Sequence, residues 1–111
     1  MTLTQLKKHS DNICGQYGVS PIKIKVNNAI AKNGLAYYAT YRIRGKRINH
    51  PCYIMIQDWN RIMDSNGEIA HRLGHELAHH VLNTKHNSLA HDNRHSNLED
   101  IIGFTLSKAF K

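Results

Sequence analysis

A chain of 111 residues, 41% of them hydrophobic, can form one core but not two, so we predict a single domain over residues 1–111. No segment approaches the roughly 18 consecutive apolar residues of a membrane helix, and no apolar signal segment follows the N-terminus. We therefore expect a cytoplasmic protein with no membrane partner. The net charge of +7 favours polyanionic partners such as nucleic acid, although an ordinary basic surface would give the same value.

The first half of the chain predicts one helix and three strands. Apolar residues recur at helical spacing over residues 2–18. Residues 22–26 alternate between apolar and polar, and residues 35–44 are rich in tyrosine and β-branched residues, so both segments are predicted as strands. Residues 53–56 (YIMI) are predicted as the third strand. Pro51 stands near the start of this third strand, where proline is tolerated. We expect the third strand to offer an edge to which a peptide could add.

Two helices are predicted in the second half. Ser65 and Glu68 fit a capping box that opens a helix over about residues 66–82, and Ser96 and Glu99 repeat this signal for a last helix. The first of these helices has one apolar stripe, formed by Ile69, Ala70, Leu73, Leu77, Ala78 and Val81. Leu98, Ile101, Ile102, Leu106 and Phe110 are expected to face inward on that last helix. The order of elements predicts an α+β fold with an N-terminal helix, a small three-stranded antiparallel sheet and two C-terminal helices.

Cysteine and histidine differ sharply in their distribution. Cys14 and Cys52 are far apart and form no CxxC pair, so we predict two free thiols in a reducing compartment. Seven of the nine histidines lie within residues 71–95. A histidine cluster of that density indicates metal binding.

The chemistry is predicted at His75, Glu76 and His79. Residues four apart on a helix lie on one face, so the two imidazoles can bind one Zn²⁺ at about 2.0–2.1 Å. Glu76 lies about 100° round the helix from His75, from where it can act on the attacking water without binding the metal. This is the HExxH pattern of zinc proteases, with glutamate as general base. The alternative is a histidine-rich solvated helix face.

Catalytic zinc also needs a third protein ligand and an open fourth position. His86 is a poor candidate, because it follows the motif so closely that the chain would need a very tight turn to bring it back to the metal. His95 directly precedes the predicted last helix, which could hold it rigidly. His91, in the loop, and Glu99, one turn into the last helix, are the alternative ligands.

Residues 74–79 (GHELAH) and 91–99 (HDNRHSNLE) together resemble the SprT-like metalloproteases, which include Spartan. That family pairs HExxH with a downstream His-Asp-x-His-Gly-Pro-Glu-Phe-type segment. The resemblance implies that His95 is the third zinc ligand and that the chain is a minimal zincin-like protease domain. The present chain has one extra residue between His91 and His95, and Ser96-Asn97 stands where the family has Gly-Pro.

The sequence thus predicts a zinc-dependent metalloendopeptidase that acts on a protein or peptide. The resemblance further implies a substrate bound or crosslinked to DNA. One alternative is a regulatory HExxH peptidase of another family, with Glu99 as its third ligand. The other is a non-catalytic, zinc-stabilised nucleic-acid-binding module whose closed site recruits His91.

Basic residues of the predicted second strand and hairpin are the candidate nucleic-acid contacts. Tyr38, Arg42 and Arg44 share one face of the strand, and Lys46 and Arg47 follow in the hairpin. Such a basic face with an aromatic residue suits the phosphates and unstacked bases of single-stranded DNA. A solvated sheet face is the alternative.

Overall fold

The computed structural model describes residues 2–27, 36–43, 46–57 and 66–109, and the side-chain burial of residues 2–26, 53–56 and 70–109. The elements in chain order are α1 (Leu3–Gln16), β1 (Lys23–Asn27), β2 (Ala36–Ile43), β3 (Lys46–Gln57), α2 (Asn66–His86) and α3 (Asn93–Ala109). The predicted order of helices and strands is confirmed within these ranges. None of the helices described is long and apolar enough to cross a membrane.

Both ends of α1 are capped. The Thr2 hydroxyl accepts a hydrogen bond from the Gln5 amide, and the Gln5 side chain accepts one from the Thr2 amide, which is a capping box. At the other end Gly18 has φ +67° and the Val19 amide donates to the Cys14 carbonyl, as in a Schellman motif. Glycine adopts this left-handed conformation without a Cβ clash, so the chain turns sharply towards β1.

The sheet is mixed, with strand order β1-β3-β2. β2 pairs antiparallel with β3 as predicted, but β1 pairs parallel with β3, so the prediction of a wholly antiparallel sheet is wrong. In this pairing Ile24 and Ile54 are partners, and both are buried in the core. The alternating pattern of a strand identifies its buried face but not the direction of its neighbour, which packing against the core determines.

β3 begins earlier than predicted, and Pro51 lies inside it rather than near its start. The register shifts at this point: Ala39 pairs with Tyr53, whereas Tyr41 pairs with Ile48. Proline has no amide hydrogen to donate to a neighbouring strand, and such irregularities are where a sheet accepts it. The irregularity therefore explains how a proline can lie within the central strand.

One buried apolar cluster joins all three helices to β1 and β3. α2 is its central element, because it contacts α1, α3, β2 and β3. The predicted apolar stripe of α2 is buried wherever its side chains are described: Ala70, Leu73, Leu77, Ala78 and Val81. Cys14 is a free, buried cysteine in the same cluster, as predicted.

The inward face of α3 differs in part from the prediction. Ile102 and Leu106 are buried, and Leu98 packs against the core while partly exposed. Ile101 is 56% exposed, so its predicted inward orientation is wrong. A helix advances by about 100° per residue, and the face centred on Ile102 leaves its neighbour at the margin. Phe110 lies outside the described residues.

α2 continues one turn beyond its predicted end and stops at His86. Asn87 follows with φ +52°, and its amide donates to the Asn83 carbonyl. Asparagine tolerates this left-handed conformation better than most side chains, so it serves as the end signal that glycine usually gives. The predicted cap at Ser65 lies outside the described residues.

Candidate metal and catalytic site

Three imidazoles converge between α2 and α3. His75 and His79 come from α2 and His95 from α3, and one ligand atom of each lies within 4.8 Å of the others. The ring centroids are 4.8 Å apart for His75–His79, 4.5 Å for His75–His95 and 4.0 Å for His79–His95. The structure therefore brings together the three residues predicted to bind zinc. Three imidazoles are also a donor set that Zn²⁺ accepts in catalytic sites.

The start of α3 holds His95 in place. The Asp92 carboxylate accepts a hydrogen bond of 3.2 Å from the His95 amide, so Asp92 caps the helix and the predicted cap at Ser96 is wrong. That hydrogen bond, aided by the neighbouring Arg94, keeps the pKa of Asp92 below its usual value. His95 consequently lies within the first turn of α3 rather than before it, and only 1% of it is exposed.

A backbone contact orients the His95 ring. Its Nε2 lies 3.1 Å from the carbonyl oxygen of His75, which can only accept a hydrogen bond. In the uncharged ring this contact makes Nε2 the protonated nitrogen, and Nδ1 then has the lone pair that a metal requires. The main chain of one candidate ligand thus fixes the tautomer of another.

Glu99 performs the same task for His75. Its Oε1 lies 3.0 Å from His75 Nδ1 and 3.7 Å from His71 Nε2 on the preceding turn of α2. A hydrogen bond from Nδ1 to this carboxylate leaves His75 Nε2 as the nitrogen available to a metal. This contact is typical of a carboxylate that orients a metal-binding imidazole, as in carboxylate–histidine–zinc groups.

We expect Glu99→Gln to keep zinc binding at one ion per chain but to weaken it about 10–100-fold, because the amide cannot supply the charge that raises the basicity of His75. Competition with a chromophoric chelator measures this affinity. Asp100→Asn removes a charge at the neighbouring exposed position and should leave the affinity unchanged. Complete loss of stoichiometric zinc in Glu99→Gln would identify Glu99 as a ligand instead.

Glu76 lies beside the histidines, as predicted. It is only 5% exposed, and its Oε1 lies 3.5 Å from His75 Nε2, the nitrogen that Glu99 leaves available. A carboxylate in this position adjoins the space in which a metal held by His75 would bind a substrate. This position agrees with the predicted role of Glu76 beside a bound metal, and that role stays a prediction.

Burial favours the neutral form of His75 and of His79. Burial, and after it the neighbouring imidazoles of His95, His75 and His91, lowers the pKa of His79 to about 3. Burial also lowers the pKa of His75, although the hydrogen bond to Glu99 opposes this effect. Neutral imidazole is the form that binds metal ions, so His75 and His79 need not lose a proton to bind one at pH 7.

A fourth imidazole, that of His91, adjoins the three. His91 Nε2 lies 3.0 Å from His79 Nε2, and its ring stacks against that of His75 at 5.4 Å and 22°. Unlike His95, His91 is exposed and belongs to the connection between α2 and α3. The alternative that His91 also binds the metal therefore stays open.

A close approach of the two helices, which the sequence interpretation missed, determines how near His95 comes to α2. A Cβ atom on Gly74 would lie 2.9 Å from the Gly103 nitrogen and 3.3 Å from the Glu99 carbonyl oxygen. Real Cβ atoms almost never approach backbone so closely. The available signal was a glycine inside each predicted helix, since a helix interior normally disfavours glycine unless packing requires it.

The predicted nucleic-acid contacts lie apart from these histidines in sequence. Arg42 is in β2, Lys46 and Arg47 are in β3, and Arg42 and Arg47 are paired across the two strands. Arg44 lies outside the described residues, and so do the side-chain surroundings of the other three. Contact with DNA at these residues stays a prediction.

No protein-family model matches this sequence, and comparison with curated proteins and with solved structures found no similar protein. The resemblance to SprT-like metalloproteases therefore rests on residues 74–79 and 91–99 alone.

Proposed function

We propose that this protein is a zinc-dependent metallopeptidase that hydrolyses peptide bonds. One observation carries the proposal: three imidazoles able to bind one ion converge beside a buried carboxylate, that of Glu76. A histidine-rich solvated helix face does not account for this arrangement, because His79 and His95 are buried and come from different helices. A purely structural metal site does not need the carboxylate.

His75, His79 and His95 would hold the ion, and their donor chemistry fits Zn²⁺. When bound, the ion supplies Lewis acidity, which polarises the scissile carbonyl and favours ionisation of the attacking water. Glu76 accepts a proton from this water at a carboxylate oxygen and then gives it to the leaving amine. Glu99 and the His75 carbonyl keep the imidazoles of His75 and His95 in the required orientation.

The sheet offers an edge for a peptide substrate, but this edge is β2 and not the predicted third strand. The predicted third strand, residues 53–56 of β3, is paired with β1 on one side and with β2 on the other, so it has no free edge for a peptide. Among the described strands, β2 lies at an edge of the sheet and contacts α2, the helix of the HExxH motif. We therefore place the substrate along β2, where its backbone could add as a further strand.

Metal removal tests the proposal directly. The purified protein should contain one zinc ion per chain and cleave an unfolded protein such as casein. 1,10-Phenanthroline should abolish cleavage, and added Zn²⁺ should restore it. Metal analysis and gel electrophoresis measure the two properties separately. A stoichiometric zinc ion without cleavage of casein or of a peptide library would contradict the peptidase, and a chain that binds no zinc would contradict the metal site as well.

Proteins bound to DNA are the proposed substrate class. The support is the net charge of +7 and the concentration of basic residues at the end of β2 and the start of β3. The logarithm of the binding constant for single-stranded DNA should fall linearly with the logarithm of the salt concentration, with a slope of about −0.7 per phosphate contacted. Titrations at several salt concentrations measure this. The absence of salt-dependent binding would remove DNA from the proposal but not the peptidase.

Each alternative has one residue that distinguishes it. A regulatory peptidase with Glu99 as third ligand is disfavoured, because Glu99 bonds to the imidazole of His75. The observation in support of a non-catalytic zinc-stabilised module is the closeness of His91 to His79, because His91 as a fourth ligand would complete a closed site.

A further inference from the structure

We infer that His91 is a displaceable fourth ligand of the metal held by His75, His79 and His95, and that it must leave before water or a substrate carbonyl can bind. The inference rests on the proposed metallopeptidase and concerns the regulation of the same site. In the resting protein the ion would have four imidazoles, and in the active protein three.

The distance between the Nε2 atoms of His91 and His79 suits two ligands of one ion. Two nitrogens on one tetrahedral Zn²⁺, each about 2.0–2.1 Å from the ion, lie about 3.3 Å apart. His91 Nε2 lies 3.0 Å from His79 Nε2. The same distance allows one imidazole to donate a hydrogen bond to the other, so a proton and a metal ion are alternatives between these nitrogens.

The ring of His91 lies near the rings of all three proposed ligands. The ring of His91 is 4.6 Å from that of His79, 5.4 Å from that of His75 and 5.1 Å from that of His95. These separations are only slightly larger than the 4.0–4.8 Å among the three ligands themselves. His91 is therefore close to all three members of the group and not to one alone.

The side chain of His91 is held less firmly than that of His95. His95 is buried within α3 and its ring bonds to the backbone, whereas His91 is exposed and precedes the helix cap at Asp92. The capped helix fixes the backbone on one side of His91, and its exposed side chain can rotate towards solvent without disturbing the core. A ligand with these properties can occupy the fourth position at rest and yield it to a substrate.

X-ray absorption at the zinc edge tests the inference, because it counts imidazole ligands independently of activity. The zinc-loaded wild type should show four imidazoles, and His91→Ala should show three and one oxygen. Saturating acetohydroxamate, a small metal-binding probe, should replace one imidazole in the wild type. His86→Ala, at the exposed end of α2, is the matched control and should keep four.

The outcomes separate this inference from the proposed function. Three imidazoles and an oxygen in the wild type would overturn the role of His91 and leave the metallopeptidase intact. Four imidazoles that acetohydroxamate cannot displace would overturn the displaceable ligand and indicate a closed structural site. Casein cleavage that rises in His91→Ala but not in His86→Ala would support the inference, and a chain that binds no zinc would overturn both.

Discussion

Replacement of Glu76 with glutamine is expected to lower kcat/KM for peptide hydrolysis about 10²–10⁴-fold, the usual contribution of a general base, while zinc stays bound at one ion per chain. Glutamine has nearly the same shape as glutamate and fits the same buried position beside His75. It cannot accept the proton of the attacking water. The change therefore removes the proposed base without removing a ligand.

Cleavage rates for a fluorogenic peptide or for casein, taken together with zinc analysis of the same preparations, measure this effect. Asp11→Asn removes one negative charge from an exposed position on α1 and should retain the wild-type rate. A Glu76→Gln protein that binds zinc and keeps full proteolytic activity would show that Glu76 is not the base.

Replacement of Gly74 with alanine is expected to have the second large effect, on both stability and metal binding. The new methyl group would meet the backbone of Gly103 at 2.9 Å, and backbone cannot rotate away as a side chain can. We expect the metal-free protein to lose about 1–3 kcal/mol, as in other overpacked interiors. Because α3 carries His95 and Glu99, its displacement should weaken zinc binding as well.

Gly103→Ala is the matched control for this prediction. A Cβ atom at Gly103 would lie 3.8 Å from its nearest neighbour, the carbonyl oxygen of Ala70, which is ordinary van der Waals contact. Alanine favours the helix by about 0.8–1.0 kcal/mol over glycine, so this variant should be as stable as the wild type or more stable. Urea denaturation with a chelator present compares the variants, and equal behaviour of the two would refute a tight crossing at Gly74.

The sequence predicted the central helix and its chemistry better than it predicted the last helix. The 3.6-residue pattern of α2 identified both its buried stripe and the shared face of His75 and His79, because the two follow from the same geometry. For α3, Asp92 and Ser96 are both good capping residues. The sequence alone favoured Ser96, but the hydrogen bond to the His95 amide shows that the chain turns into the helix at Asp92.

By itself the sequence determined the local features of this protein: the order of its helices and strands, the spacing of His75, Glu76 and His79, and a short list of candidates for the third metal ligand. Contacts between distant segments were decided by the tertiary structure. These include the parallel pairing of β1 with β3, the crossing at Gly74, the hydrogen bond that His75 donates to Glu99 and the closeness of His91 to His79. The physical reason is that local periodicity fixes which face of an element is buried, whereas only packing of the whole chain fixes what that face meets.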